Sequence, residues 1–191
     1  MTDYKDKLIM EENPTFEHIE DKNLKNQPCY DKDGNFLGWF SRSVAVVSFI
    51  YCKNKKGRWC ILASQRGKGT PDPEFVGAWN ACCGYVDYNE TLKGAAVREI
   101  KEECGLHLSE DDLEMEGIND DPNGDKRQNI TVHFVGVLVD VEAESFKFSH
   151  KYNEKDEVGD IKFIELEDID KYKWAFGHDK LIRKYASMYN L

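Results

Sequence analysis

Between Thr91 and Gly105 the chain reads Thr-Leu-Lys-Gly-Ala-Ala-Val-Arg-Glu-Ile-Lys-Glu-Glu-Cys-Gly, and this stretch constrains the fold more than any other. At about 100° per residue, Leu92, Ala96, Ile100, Cys104 and Val97 share one arc of about 140°, the apolar stripe of a helix lying on a core. Gly105 suits the left-handed position that ends such a helix. On both sides of it the sequence is β-rich: Phe36–Phe40, Ser43–Cys52, Trp59–Gln65, Trp79–Cys83, Leu113–Ile118, Asn129–Val141 and Ile161–Leu166 read as strands. Turn chemistry separates them at residues 31–35, 66–73 and 121–125, where Gly, Pro, Asn and Asp concentrate. A second helix is expected over Phe176–Tyr189, apolar at Leu181, Ile182, Tyr185, Met188 and Tyr189. Many strands with few helices bury both sheet faces only if helices cover them. The expected class is therefore α/β (α+β), a mixed β-sheet sandwiched between α-helices. The length of 191 residues fits one domain, assigned to residues 41–191, with a polar N-terminal extension over residues 1–40.

The formal net charge of −10 is local. Residues 84–125 carry 13 acidic and 3 basic groups, whereas the segments before and after are close to neutral. Such a balance disfavours nucleic-acid binding, which needs a concentrated basic surface. The group Lys53, Lys55, Lys56 and Arg58 reads instead as a solvated hairpin turn. No apolar run approaches the roughly 18–20 residues of a membrane span, and the N-terminus Met1-Thr2-Asp3-Tyr4-Lys5-Asp6 has no targeting pattern. Six cysteines without a CxxC pair read as reduced thiols of a cytoplasmic protein.

The central helix also carries Glu99, Glu102 and Glu103 within an arc of about 100°. Glu99 and Glu103 border the apolar stripe, where close like charges repel by about 0.2–0.5 kcal/mol per pair and lose part of their hydration. Arg98 can brace Glu102 one turn on but does not neutralise three carboxylates. Two readings satisfy these residues: a charged face in solvent, and a site for Mg²⁺ or Mn²⁺, hard cations that take carboxylate oxygens.

A longer pattern contains them. Gly84-Tyr85-Val86-Asp87-Tyr88-Asn89-Glu90, seven residues, then Arg98-Glu99-Ile100-Lys101-Glu102-Glu103-Cys104-Gly105-Leu106 resembles the Nudix box: Gly, five residues, Glu, seven residues, Arg-Glu, aliphatic, any residue, Glu-Glu, any residue, Gly, aliphatic. Every fixed position matches over 23 residues. Looser similarity, including Trp174-Ala175-Phe176-Gly177-His178, extends from about Arg42 to the C-terminus. The resemblance implies the Nudix fold and hydrolysis of a nucleoside diphosphate linked to another moiety, with Mg²⁺ or Mn²⁺ as cofactor. It implies Glu99 and Glu103 as principal metal ligands, Glu102 as a ligand directly or through water, and the backbone carbonyl of Cys83 as a further ligand. Gly84, Glu90, Arg98 and Gly105 take structural roles in the box. Family members often recruit another carboxylate before a late strand, and Glu157 is the candidate ligand or general base, with Glu154 as substitute. Arg66, after its strand, has the bidentate fork that meets a substrate phosphate or forms an ion pair. Trp79 reads as core, and His133 and His178 as structural histidines.

Among substrates, the resemblance implies ADP-ribose or another nucleoside diphosphate sugar, because a proline about fifteen or sixteen residues beyond the box is associated with the family's ADP-ribose pyrophosphatases and Pro122 lies sixteen past Leu106, although its Asp-Pro-Asn-Gly context also suits a simple turn. An oxidised nucleoside triphosphate comes next, then a dinucleoside polyphosphate or capped RNA. Two other classes compete. The strand Trp79-Asn80-Ala81-Cys82-Cys83-Gly84 is similar to the catalytic-cysteine strand of isopentenyl-diphosphate isomerase, but Tyr85 replaces the histidine that follows the glycine there. A nucleotide-sensing, non-catalytic regulator usually has a broken box and a DNA-binding module, and this chain has neither. A homodimer formed through the N-terminal segment is left open.

Overall fold

The computed structural model describes residues 27–31, 33–123, 129–149 and 156–191. The chain divides into two compact units, Met1–Ser43 with Asp120–Ile130, and Val44–Asn119 with Thr131–Leu191. In the first, β1 (Gln27–Tyr30) pairs antiparallel with β2 (Phe36–Phe40). The turn between them is built by Asp31, whose carboxylate accepts the backbone N–H groups of Asp33 and Asn35 at 2.9 and 2.8 Å. This hairpin lies inside the stretch expected to be an extension, where only its second strand was legible.

The second unit holds β3 (Val44–Lys53), β4 (Trp59–Arg66), β5 (Trp79–Asn80), β6 (Cys82–Tyr85), α1 (Leu92–Cys104), β7 (Glu114–Asn119), most of β8 (Ile130–Glu142), β9 (Val158–Glu165) and α2 (His178–Met188). The sheet runs β5-β4-β3-β8-β7, with β6 also on β3 and β9 also on β4. The β3–β4, β3–β6, β4–β5, β4–β9 and β7–β8 pairs are antiparallel, and a parallel bridge joins Trp79 to Trp174. Alternation along β3 splits the core in two. Val46 and Ile50 pack with Ala96, Ile100 and Cys104 of α1, whereas Val47, Phe49 and Tyr51 pack with Ile182, Tyr185 and Ala186 of α2. The two helices therefore cover opposite faces of one mixed sheet.

Local chemistry sets the helix limits. Thr91 caps α1 by accepting the N–H of Gly94 at 2.9 Å, and Gly105 ends it with φ 68°. A Cβ at Gly105 would lie 2.7–2.9 Å from atoms of Ser149, so this position needs glycine for space as well as for conformation. The expected single strand Trp79–Cys83 is corrected by the structure. It breaks at Ala81, because β5 pairs with β4 and β6 with β3, and the Ala81 N–H between them donates to His178 Nδ1 at 3.1 Å.

Candidate active site

The box folds as the end of β6, a loop, and α1. Arg98 is the clasp of that loop. Its Nε and Nη2 donate to the two carboxylate oxygens of Glu90 at 3.0 and 2.7 Å, and Nη2 also donates to the Tyr85 carbonyl at 2.9 Å. Glu90 in turn accepts the Asp87 N–H at 2.6 Å. The guanidinium beside it holds the Glu90 carboxyl below the usual carboxylate range, and Arg98 is correspondingly held charged. Both residues tie the strand end to the helix.

Arg98 Nη1 reaches Glu99 Oε1 at 2.7 Å and Glu102 Oε2 at 3.0 Å. Glu103 is treated differently. Its oxygens accept the Ser64 hydroxyl at 2.8 Å and the Cys83 N–H at 3.4 Å, and among the described residues no Lys or Arg forms an ion pair with it. Burial, followed by the charge of Glu99, pushes the Glu103 carboxyl up to about 8. Glu99, with its side chain only 14% exposed, is also raised, chiefly by burial and against the pull of Arg98. Gly84 makes room for this arrangement, since a Cβ there would overlap the Glu99 carboxylate.

The donor set is all oxygen and anionic, which fits a hard divalent cation. As they stand, no three His, Cys, Asp or Glu side chains among the described residues converge enough to hold a metal ion. Arg98 explains this, because it occupies one oxygen each of Glu99 and Glu102.

Arg66, at the end of β4, is paired within its own loop. Its Nη2 contacts Asp72 Oδ2 at 3.0 Å and the Thr70 hydroxyl, and its Nε is buried without a partner. Its charge still lowers the proton affinity of Glu103 and Cys83. Glu157 is exposed, and its backbone is fixed: its carbonyl accepts the Gly67 N–H at 2.7 Å, and that of Asp156 accepts the Gly69 N–H at 3.0 Å. Glu154 lies outside the described residues. Cys83 accepts a bond from Asn80 Nδ2 at 3.5 Å, and burial pushes its thiol well up, the opposite of what a nucleophile needs. Trp79 is 5% exposed and belongs to the core. His178 bonds Ala81 as described, His133 Nδ1 lies 2.8 Å from the Tyr185 hydroxyl, and burial lowers the two rings to about 3 and about 4.

Ser64, Thr70 and Asp72 escaped the sequence reading. Ser64 left one signal, a hydroxyl ending the apolar run Ile61-Leu62-Ala63. The partners of Arg66 left none, because a loop sequence does not say which side chains fold back.

A helix that presents clustered carboxylates beside a glycine-bearing strand end offers oxygen donors of the kind a hard divalent cation takes. The comparisons with known proteins agree. The NUDIX domain profile matches residues 42–185. An ADP-ribose pyrophosphatase from Methanocaldococcus jannaschii is 32% identical over 148 residues, 78% of this chain and 75% of the relative. Among solved structures, the NUDIX domain of Shewanella oneidensis NrtR complexed with ADP ribose has a TM-score of 0.64 at 19% identity, covering 83% of this chain and 93% of that one. A C. elegans Ap4A hydrolase has a TM-score of 0.54 at 23% identity, over 76% and 98%; these two likenesses are of fold alone. The chain belongs to the Nudix family. It is a hydrolase of phosphoanhydride bonds, its substrate is of nucleotide type, and the family depends on divalent metals. No helix among the described residues is long and apolar enough to cross a membrane.

Proposed function

We propose that this enzyme hydrolyses ADP-ribose, or a closely similar nucleoside diphosphate sugar, to a nucleoside monophosphate and a sugar phosphate with Mg²⁺ or Mn²⁺. The observation that carries the substrate is the 32% identical relative named ADP-ribose pyrophosphatase, which this chain matches over 78% of its length. Glu99 and Glu103 are the principal ligands in this reading, joined by Glu102 and the Cys83 carbonyl. What supports them is the box itself and the placement of these carboxylates on α1 beside the end of β6, with the Glu103 oxygens held by the Ser64 hydroxyl and the Cys83 N–H. The cation, when bound, neutralises diphosphate oxygens and lowers the pKa of an attacking water.

The chain's own residues supply the rest. Ser64 and the Cys83 N–H orient Glu103 toward one rotamer, and Arg98 with Glu90 keeps the loop from moving away from the helix. Arg66 offers positive charge to the substrate diphosphate from the end of β4. Glu157, whose backbone is latched to Gly67, is the candidate to take the proton of water. Residues 41–191 form the catalytic domain in this reading, and its free thiols suit a reducing compartment such as the cytoplasm.

The test is product analysis with purified protein. ADP-ribose with Mg²⁺ is expected to give AMP and ribose 5-phosphate in equal amounts. Absence of both products with Mg²⁺ and Mn²⁺, under conditions where another nucleotide is cleaved, refutes the substrate assignment.

A further inference from the structure

Phe176 is 43% exposed and has a left-handed backbone, φ 57°, followed by Gly177 at φ 68°. The turn itself has a structural reason. Ala175 is buried and donates its N–H to the Trp79 carbonyl at 2.8 Å, and two residues later the buried His178 must meet Ala81. That reversal calls for left-handed residues, for which Gly or Asn is the natural choice and a bulky aromatic is an outlier. The aromatic ring is therefore not explained by the turn, and a large apolar side chain facing solvent at a strained position points to use by a ligand.

The surroundings define the ligand. Arg66 lies over the ring, its guanidinium carbon 5.1 Å from the centroid, and Asp72 at 3.0 Å fixes that guanidinium in turn. Phe75 and His178 brace the ring at centroid distances of 4.7 and 5.5 Å. Arg66 is two residues beyond Ser64 on β4, roughly 7 Å along a strand, and Ser64 bonds Glu103. Phe176, 43% exposed, thus lies one side chain away from the carboxylate site, with a cation between them. A group carrying a phosphate and a flat ring fits that sequence of surfaces.

We infer that Phe176 is a substrate-binding residue, the shelf on which the nucleobase stacks while the diphosphate runs past Arg66 toward Glu103. This rests on the nucleotide reading of the site and adds where the base sits. Base–aromatic stacking is lost on truncation at a cost of about ten- to a hundredfold in affinity.

Calorimetric titration of the full chain with the four nucleoside monophosphates and with ribose 5-phosphate tests this without turnover. The tightest-binding monophosphate is expected to weaken about ten- to a hundredfold in Phe176→Leu and Phe176→Asn and to be retained in Phe176→Trp. Ribose 5-phosphate binds all four proteins equally. Phe176→Asn, which suits the left-handed backbone, melts no lower than the parent and shows that the loss is not unfolding. Unchanged monophosphate affinity in the Leu and Asn variants overturns the inference. So does a parallel loss of ribose 5-phosphate, which would mean that the ring only positions Arg66, and so does a parent protein that prefers no monophosphate over ribose 5-phosphate. Failure of the ADP-ribose assignment would appear instead as missing turnover, with stacking still measurable.

Discussion

Glu103→Gln separates stability from function in one substitution. The Glu103 carboxyl rises from an ordinary 4.5 to about 8 in the fold. Between those values the folded protein holds a proton that the unfolded chain releases, so this group's contribution to stability falls as pH rises from about 4.5 to about 8. The full shift corresponds to about 5 kcal/mol at roughly 1.36 kcal/mol per pKa unit. Glu103 is only partly buried, and solvent screening reduces this to about 1–2 kcal/mol. A glutamine keeps the shape, with its carbonyl oxygen accepting the Cys83 N–H and its amide donating to Ser64 Oγ, and has no charge to desolvate. In EDTA at pH 8 the variant is expected to melt about 2–8 °C above the parent, and the difference should vanish near pH 4.5. The buried rings of His133 and His178, lowered to about 4 and about 3, act in the opposite sense below about pH 6.5. They are common to both proteins and cancel in the difference. Mg²⁺ should stabilise the parent and much less the variant, and metal-dependent turnover should fall by at least about a hundredfold. The reasoning is refuted by a pH-independent melting difference, or by full activity of the variant with Mg²⁺.

Three further outcomes follow from the same geometry. Gly84→Ala places a Cβ on the Glu99 carboxylate; because that carboxylate ends a flexible side chain, the fold should survive with a melting temperature within a few degrees, while kcat drops about tenfold or more as Glu99 is displaced. Arg98→Lys removes the two-point grip on Glu90, and chemical denaturation should show a loss of about 1–3 kcal/mol, since a lysine cannot serve Glu90, Glu99 and the Tyr85 carbonyl together. Gly105→Ala meets both a φ of 68° and Ser149 at 2.7–2.9 Å, so it should destabilise by more than about 1 kcal/mol in the same assay.

Much of this fold was legible because its signals are local. The period of α1, its Thr91 start and its Gly105 stop all lie within 15 residues, and the structure reproduces them. Strands β3, β4, β7, β8 and β9 were found to within a few residues for the same reason, with side chains alternating about a sheet plane. The strand expected over Trp79–Cys83 was one apolar run, and nothing local could say that its halves belong to different neighbours. Only β3, β4 and His178, 97 residues away from Ala81, decide that break. Strand β1 was missed because a short polar strand needs its partner β2 to exist.

The sequence alone determined that three carboxylates and an arginine share one helix face, since a helix turns a spacing of one, three and four residues into proximity. It also determined the box, and with it the family. The tertiary structure decided how those charges are shared: Arg98 takes Glu90, Glu99 and Glu102, while Glu103 turns toward Ser64, 39 residues back, and forms no ion pair with a Lys or Arg among the described residues. It decided too that Arg66 folds onto Asp72 and Phe176. Helical periodicity is written in neighbouring residues, whereas burial and charge pairing arise only when distant strands meet.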